Sequence, residues 1–149
     1  MNVLYFILQA IASYIAIAAF LIVLNVQKQL LIPGGILGMC VWLLYLHLLG
    51  PTNVIIATLI AAIVGSCISQ ILSILYKTPS VIFSLAILAP LVPGYRAYLA
   101  TTQFVSENYK EALVNTTTVL MLALVIPIGM TSGTILMQIY RYLQTKKSI

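Results

Sequence analysis

The sequence predicts an all-α integral membrane protein with about five transmembrane helices. Three observations carry that expectation. Of 149 residues, 62% are hydrophobic and only 6% charged, where soluble domains carry about 25% charged residues. Mean hydropathy is +1.14. The apolar residues fall in runs close to the ~20 needed to cross a bilayer core as a helix, and most basic residues stand at the ends of those runs.

That placement also accounts for the net charge of +5. Basic residues at span ends orient helices, and no basic patch with interleaved aromatics suggests nucleic acid. Cys40 and Cys67 lie inside apolar runs without metal-ligand or disulfide spacing, so buried, inert thiols are expected.

The chain reads as a single transmembrane domain, 1–149, with spans at about 3–26, 34–49, 53–76, 80–105 and 115–142. The first run lacks a basic start and is too long for a signal peptide. It ends at Gln27-Lys28-Gln29. Pro33 suits the opening turn of the second span, where Gly34 and Gly38 allow close backbone approach. Small residues recur every fourth position in the third span, at Ala57, Ala61, Gly65, Ser69 and Ser73. Such a stripe predicts a tightly seated neighbour.

Thr78 and Pro79 read as N-cap and first residue of the fourth span. That span should break near its middle. Pro90 and Pro93 lack the N–H groups that would serve the carbonyls of Ala86 and Ala89. Ala89 and Val92 precede prolines and are pushed from helical angles. Gly94 frees the next turn. The fifth span is expected to break similarly, at Pro127 to Gly133, and the basic tail from Arg141 to Ile149 to be short and mobile.

Lys28, Lys77, Arg141, Lys146 and Lys147 follow the first, third and fifth spans, while the opposite loops receive only Lys110. This asymmetry places the N-terminus outside and the C-terminus in the cytoplasm; the expected location is the cell (inner) membrane.

Enzyme chemistry has little material. There is no Asp, one His (His47), and two Glu (Glu107 and Glu111) in one polar loop. No carboxylate pair, metal cluster or base beside a nucleophile is present, so neither catalysis, metal nor cofactor is expected. Transport has more. Broken backbone at membrane depth persists only where protein buries it or a wet cavity meets it. The exposed N-terminus of a half-helix attracts carboxylates. Arg96 follows directly, with a forked donor set suited to an anion. Pro90, Pro93, Gly94, Tyr95 and Arg96 therefore form the candidate substrate site, with Thr131 and Ser132 at the second break as neutral donors and acceptors. A small amino or organic acid is the expected cargo.

Several pieces resemble the short component of the threonine/serine exporter family, whose split relatives include a two-subunit succinate exporter. They are Leu24-Asn25-Val26-Gln27-Lys28, the glycine-rich second span with Trp42, Lys77-Thr78-Pro79-Ser80-Val81-Ile82-Phe83, and Pro90-Leu91-Val92-Pro93-Gly94. The resemblance covers roughly residues 20–142. It implies export of threonine and serine, or of a dicarboxylate such as succinate. It also implies a partner membrane subunit with additional spans and a soluble cytoplasmic region. Family members commonly place small residues after the Pro-Gly pair, where Tyr95 and Arg96 stand here. Two rival roles are a membrane scaffold or assembly subunit, which has no need of broken helices, and a homo-oligomeric channel subunit, which requires a symmetric pore.

Overall fold

The computed structural model describes residues 3–147 and contains only helices and their connections. They are α1 (Val3–Val23), α2 (Lys28–Leu48), α3 (Val54–Leu75), α4 (Ser80–Leu91), α5 (Gly94–Val105) and α6 (Tyr109–Lys147). Four of these, α1, α2, α3 and α6, are long and apolar enough to cross a membrane singly. At ~1.5 Å per residue, α4 and α5 are each about 18 Å long, too short for a ~30 Å core. Together they suffice, joined at a bend of 42°. The protein is thus an all-α membrane protein with one broken helix.

α3 lies at the centre, packed on α2, α4 and α6. Its small-residue stripe is buried at Ala57, Ala61, Gly65 and Ser69. A Cβ on Gly65 would meet Val41 at 2.8 Å and Ile87 at 3.1 Å, so this glycine seats α2 and α4 together. The glycines of α2 do the same for α1. Added Cβ atoms at Gly34 and Gly35 would strike Leu21 and Tyr14. Leu37, Val41, Phe83 and Ile87 fill the core between these helices. Lipid is as apolar as these side chains, so close van der Waals packing, rather than escape from water, holds the helices together.

α3 and α6 run parallel. Ala62 meets Gly129, Ser66 meets Gly133, and the Arg141 guanidinium donates to Gln70 O at 2.9 Å. The α4–α5 pair therefore carries the chain from the C-terminal end of α3 back to the end where α3 begins.

Several expectations are corrected. The fifth span is not interrupted: α6 runs unbroken through Pro127. One proline removes one donor, and α3 braces the helix just beyond it through Gly129 and Gly133. The helix that carries this span, α6, begins at Tyr109, with Glu111 in its first turn. α2 begins at Lys28, which leaves Pro33 inside it.

Thr78 does not cap α4. Its N–H bonds Ser73 O at 3.0 Å, while the Lys77 N–H bonds Ile74 O at 3.2 Å. This pair of bonds closes the C-terminus of α3 with Lys77 left-handed (φ 51). The N-cap position of α4 falls on Pro79 instead, and the Thr78 hydroxyl is buried without a partner among the described residues.

The tail is helical as far as Lys147, and Ser148 and Ile149 lie outside the described residues. Cys40 faces outward on α2, while Cys67 donates weakly to Gly133 O at 3.5 Å.

Candidate functional site

The break in the fourth span comes from its second proline. Pro90 is accommodated inside α4, and the helix continues to Leu91. Pro93 then holds Val92 extended, at φ −62 and ψ 127, as the residue before a proline requires. Pro93 itself sits at φ −78 and ψ 50, and α5 begins at the next residue. Gly94 is not what permits this turn. No glycine among the described residues has a positive φ. A Cβ on Gly94 would meet nothing within 4 Å, so the space beside it is open.

The N-terminus of α5 is partly self-satisfied. The Gly94 N–H bonds Val92 O at 2.8 Å and the Ala97 N–H bonds Pro93 O at 3.0 Å. Between them, the N–H groups of Tyr95 and Arg96 have no backbone acceptor among the described residues. No side chain caps this helix. Two donors and the positive end of a helix dipole remain available to an anion.

Tyr95 and Arg96 line a cavity of about 310 Å³, together with Trp42, Tyr45, Thr58 and Leu122. Arg96 is half-buried in its wall and Tyr95 is largely exposed at its edge. Five of the predicted site residues (Pro90, Pro93, Gly94, Tyr95 and Arg96) thus meet around one space. Thr131 and Ser132 do not join them. Their hydroxyls bond back to Pro127 O and Ile128 O on their own helix, each at 2.7 Å. They also stand about 14–15 Å further along α6 than Leu122, at ~1.5 Å per residue.

The cavity is displaced from the middle of the bundle. It lies level with the last turns of α2, at Tyr45 and Leu46, and the second turn of α3, at Thr58. Tyr45 sits about 10 Å past the centre of α2, at ~1.5 Å per residue, so the cavity lies toward the C-terminal end of α2, while the break itself divides α4–α5 into two 12-residue halves.

Sequence reasoning did not assign Trp42, Tyr45 or Thr58 to the site. Trp42 stacks on Tyr45 with ring centroids 5.3 Å apart at 30°. The Trp42 indole N–H donates to Gln9 Oε1 of α1 at 3.0 Å. Thr58 is buried, its hydroxyl bonded to Val54 O at 2.7 Å. A tryptophan and a tyrosine one helical turn apart were visible as a possible aromatic wall, but nothing in the sequence aimed them at Arg96.

No cluster of His, Cys, Asp and Glu among the described residues could hold a metal ion. The cavity offers hydrogen-bond donors, one fixed cation and aromatic surface, which suits binding and release of a small anion or zwitterion.

A family model described as "Threonine/Serine exporter, ThrE" matches residues 9–136. No curated protein and no solved structure matches the chain. The family match takes in the broken helix, the cavity beside it and most of the bundle, and the chain belongs to the threonine/serine exporter family of membrane transporters.

Proposed function

We propose that this chain is one subunit of an inner-membrane exporter for small amino acids such as threonine and serine, or for dicarboxylates such as succinate. The observation that carries this reading is the cavity at the broken helix, lined by Arg96 and by the first residues of α5, whose Tyr95 and Arg96 N–H groups have no backbone acceptor among the described residues. A carboxylate of the cargo binds the α5 N-terminus, and the guanidinium compensates its charge. A charged side chain in a membrane helix is costly unless it meets a cavity or a partner, and Arg96 meets this cavity.

The working unit includes a second membrane subunit with further spans and a soluble cytoplasmic region. The described residues offer no carboxylate on the bundle interior for ion coupling, since Glu107 and Glu111 are both exposed near the α5–α6 connection. The chain crosses the membrane five times, with α4–α5 as the bent fourth crossing. The N-terminus is outside and the C-terminus cytoplasmic. The parallel run of α3 and α6 supports this path, as do Lys28, Lys77 and Arg141 at one end of the bundle. In that orientation the cavity lies toward the outer face, the side to which an exporter releases its cargo.

The test is efflux from cells carrying the gene at its native locus, loaded through threonine-containing dipeptides, with succinate followed in parallel. Arg96→Ala should abolish export at a normal membrane level. Arg96→Lys should retain little if the guanidinium fork grips the carboxylate, and part of the activity if charge alone matters. Gly94→Val should also block export, because its side chain enters the open space beside the N–H groups. Unaltered efflux of every tested acid from both Arg96→Ala and Gly94→Val would return this stretch to a packing role.

A further inference from the structure

A second, larger cavity of about 600 Å³ lies between α1 and α4. Its wall is mostly apolar, with Ala12, Ala16, Phe20 and Leu88, and its polar side chains are Gln9 and Ser13. Trp42, Pro90 and Val92 line both cavities. Pro90 and Val92 are short side chains fixed to the broken backbone. Among the described residues, Trp42 is the only large side chain in the shared wall.

The Trp42 ring is held from two sides. Tyr45 stacks against its face, and Gln9 accepts its N–H from across the α1–α2 contact. With the indole in this position, the space beside Arg96 is about 310 Å³ and is open on the side of the exposed Tyr95, at the small end of the ~300–1,000 Å³ usual for ligand sites. Without it, the compartment would open onto the apolar space along α1.

We propose that Trp42, held by Gln9, is the specificity-determining residue that limits the exporter to small acids by closing the anion cavity against the α1–α4 groove. The inference rests on the carboxylate site described above and adds what sets the size of the cargo. A cargo whose carboxylate sits on the α5 N-terminus projects its side chain into the remaining space. A three- or four-carbon acid fits there, and a bulky side chain meets the indole. Discrimination against the larger acid is then steric and independent of Arg96.

The experiment measures phenylalanine and threonine efflux side by side in cells carrying the full-length gene at its native locus. A strain lacking the gene supplies the background, and membrane levels are checked for each variant. Trp42→Ala should raise the phenylalanine-to-threonine ratio by about tenfold or more, the scale of discrimination available to steric exclusion. Gln9→Leu frees the indole without removing it and should raise the ratio by a smaller factor. Ala16→Phe, which refills the groove, should bring the ratio of Trp42→Ala back down. If Trp42→Ala does not reach the membrane, Trp42→Leu is judged by the same ratio. An unchanged ratio in a well-inserted Trp42 variant overturns the size filter. If Arg96→Ala meanwhile loses threonine efflux, the carboxylate site stands and only the filter falls. Wild-type threonine efflux from Arg96→Ala would instead remove the site itself, whatever the Trp42 variants do.

Discussion

Gly38 of α2 lies against the carbonyl oxygen of Ala86 in α4: a Cβ at position 38 would stand 2.6 Å from that oxygen. The Ala86 carbonyl is the one that Pro90 deprives of its helical donor. Lipid has nothing to offer such a group. The close backbone of α2 covers it, and Ile17 of α1 closes the same spot, 2.6 Å from the added Cβ.

Gly38→Ala should therefore push α2 off α4 and destabilise the bundle by about 1–3 kcal/mol, the usual cost of overpacking. Gly94→Ala, whose Cβ would meet nothing, should change stability by less than about 0.5 kcal/mol. Thermal unfolding of the two variants in the same detergent compares them directly. Equal melting temperatures would show that α2 and α4 can part without loss.

Ser66 joins α3 to α6. Its hydroxyl donates to Met130 O at 2.7 Å and lies 3.0 Å from Thr134 Oγ1. Ser66→Ala should cost about 0.6–2 kcal/mol, the range for hydrogen bonds between membrane helices. Thr131→Ala and Ser132→Ala lose only bonds to their own helix and should leave both stability and export near wild type. Loss of export in either variant, at normal membrane levels, would restore these residues to the site.

Three helix ends place a non-glycine residue in the left-handed region: Asn25 (φ 55), Lys77 (φ 51) and Glu107 (φ 59). Each closes a helix with the same paired bonds, as in Asn108 N–H to Gln103 O and Glu107 N–H to Phe104 O. Left-handed backbone costs an ordinary residue roughly 1–2 kcal/mol. Glu107→Gly should raise stability by about 0.5–1 kcal/mol, and Asn25→Gly by less, since asparagine tolerates this conformation better. A fall in melting temperature for Glu107→Gly would mean that its side chain contributes more than the backbone strain removes.

The five-crossing path predicts labelling. Asn108→Cys, in the α5–α6 connection, should react with an impermeant thiol reagent in intact cells. Lys146→Cys should react only after the membrane is opened. Cys40 and Cys67 would first be replaced by Ala to clear the background. The reverse pattern would invert the orientation, and labelling at both positions would require an even number of crossings.

Much of the architecture was settled by the sequence alone. Composition and run length determined that the chain is a membrane-spanning helical bundle, because only closed backbone hydrogen bonding survives in lipid. The spacing of Ala57, Ala61, Gly65 and Ser69 located the central packing face, since one face of a helix repeats about every four residues. Pro93 located the break because it acts on its own neighbour's angles. These are local effects, and local effects can be read along a chain.

The tertiary structure decided the rest. Pro127 carries the same signal as Pro90 and Pro93, yet α6 stays whole, because a lone proline is tolerated where a neighbouring helix braces the backbone. The two glycines after it, which resembled a second break, are where α6 meets the carbonyls of Leu59 and Ile63. Thr78 looks like a cap, but α4 starts one residue later, from Pro79, and the Thr78 hydroxyl bonds none of its N–H groups. The height of the cavity, and the meeting of Trp42, Tyr45 and Thr58 with Arg96, depend on how α2, α3 and α5 register against one another. That register is set by which small residues let which backbones approach, a property of pairs of helices that no single stretch of sequence contains.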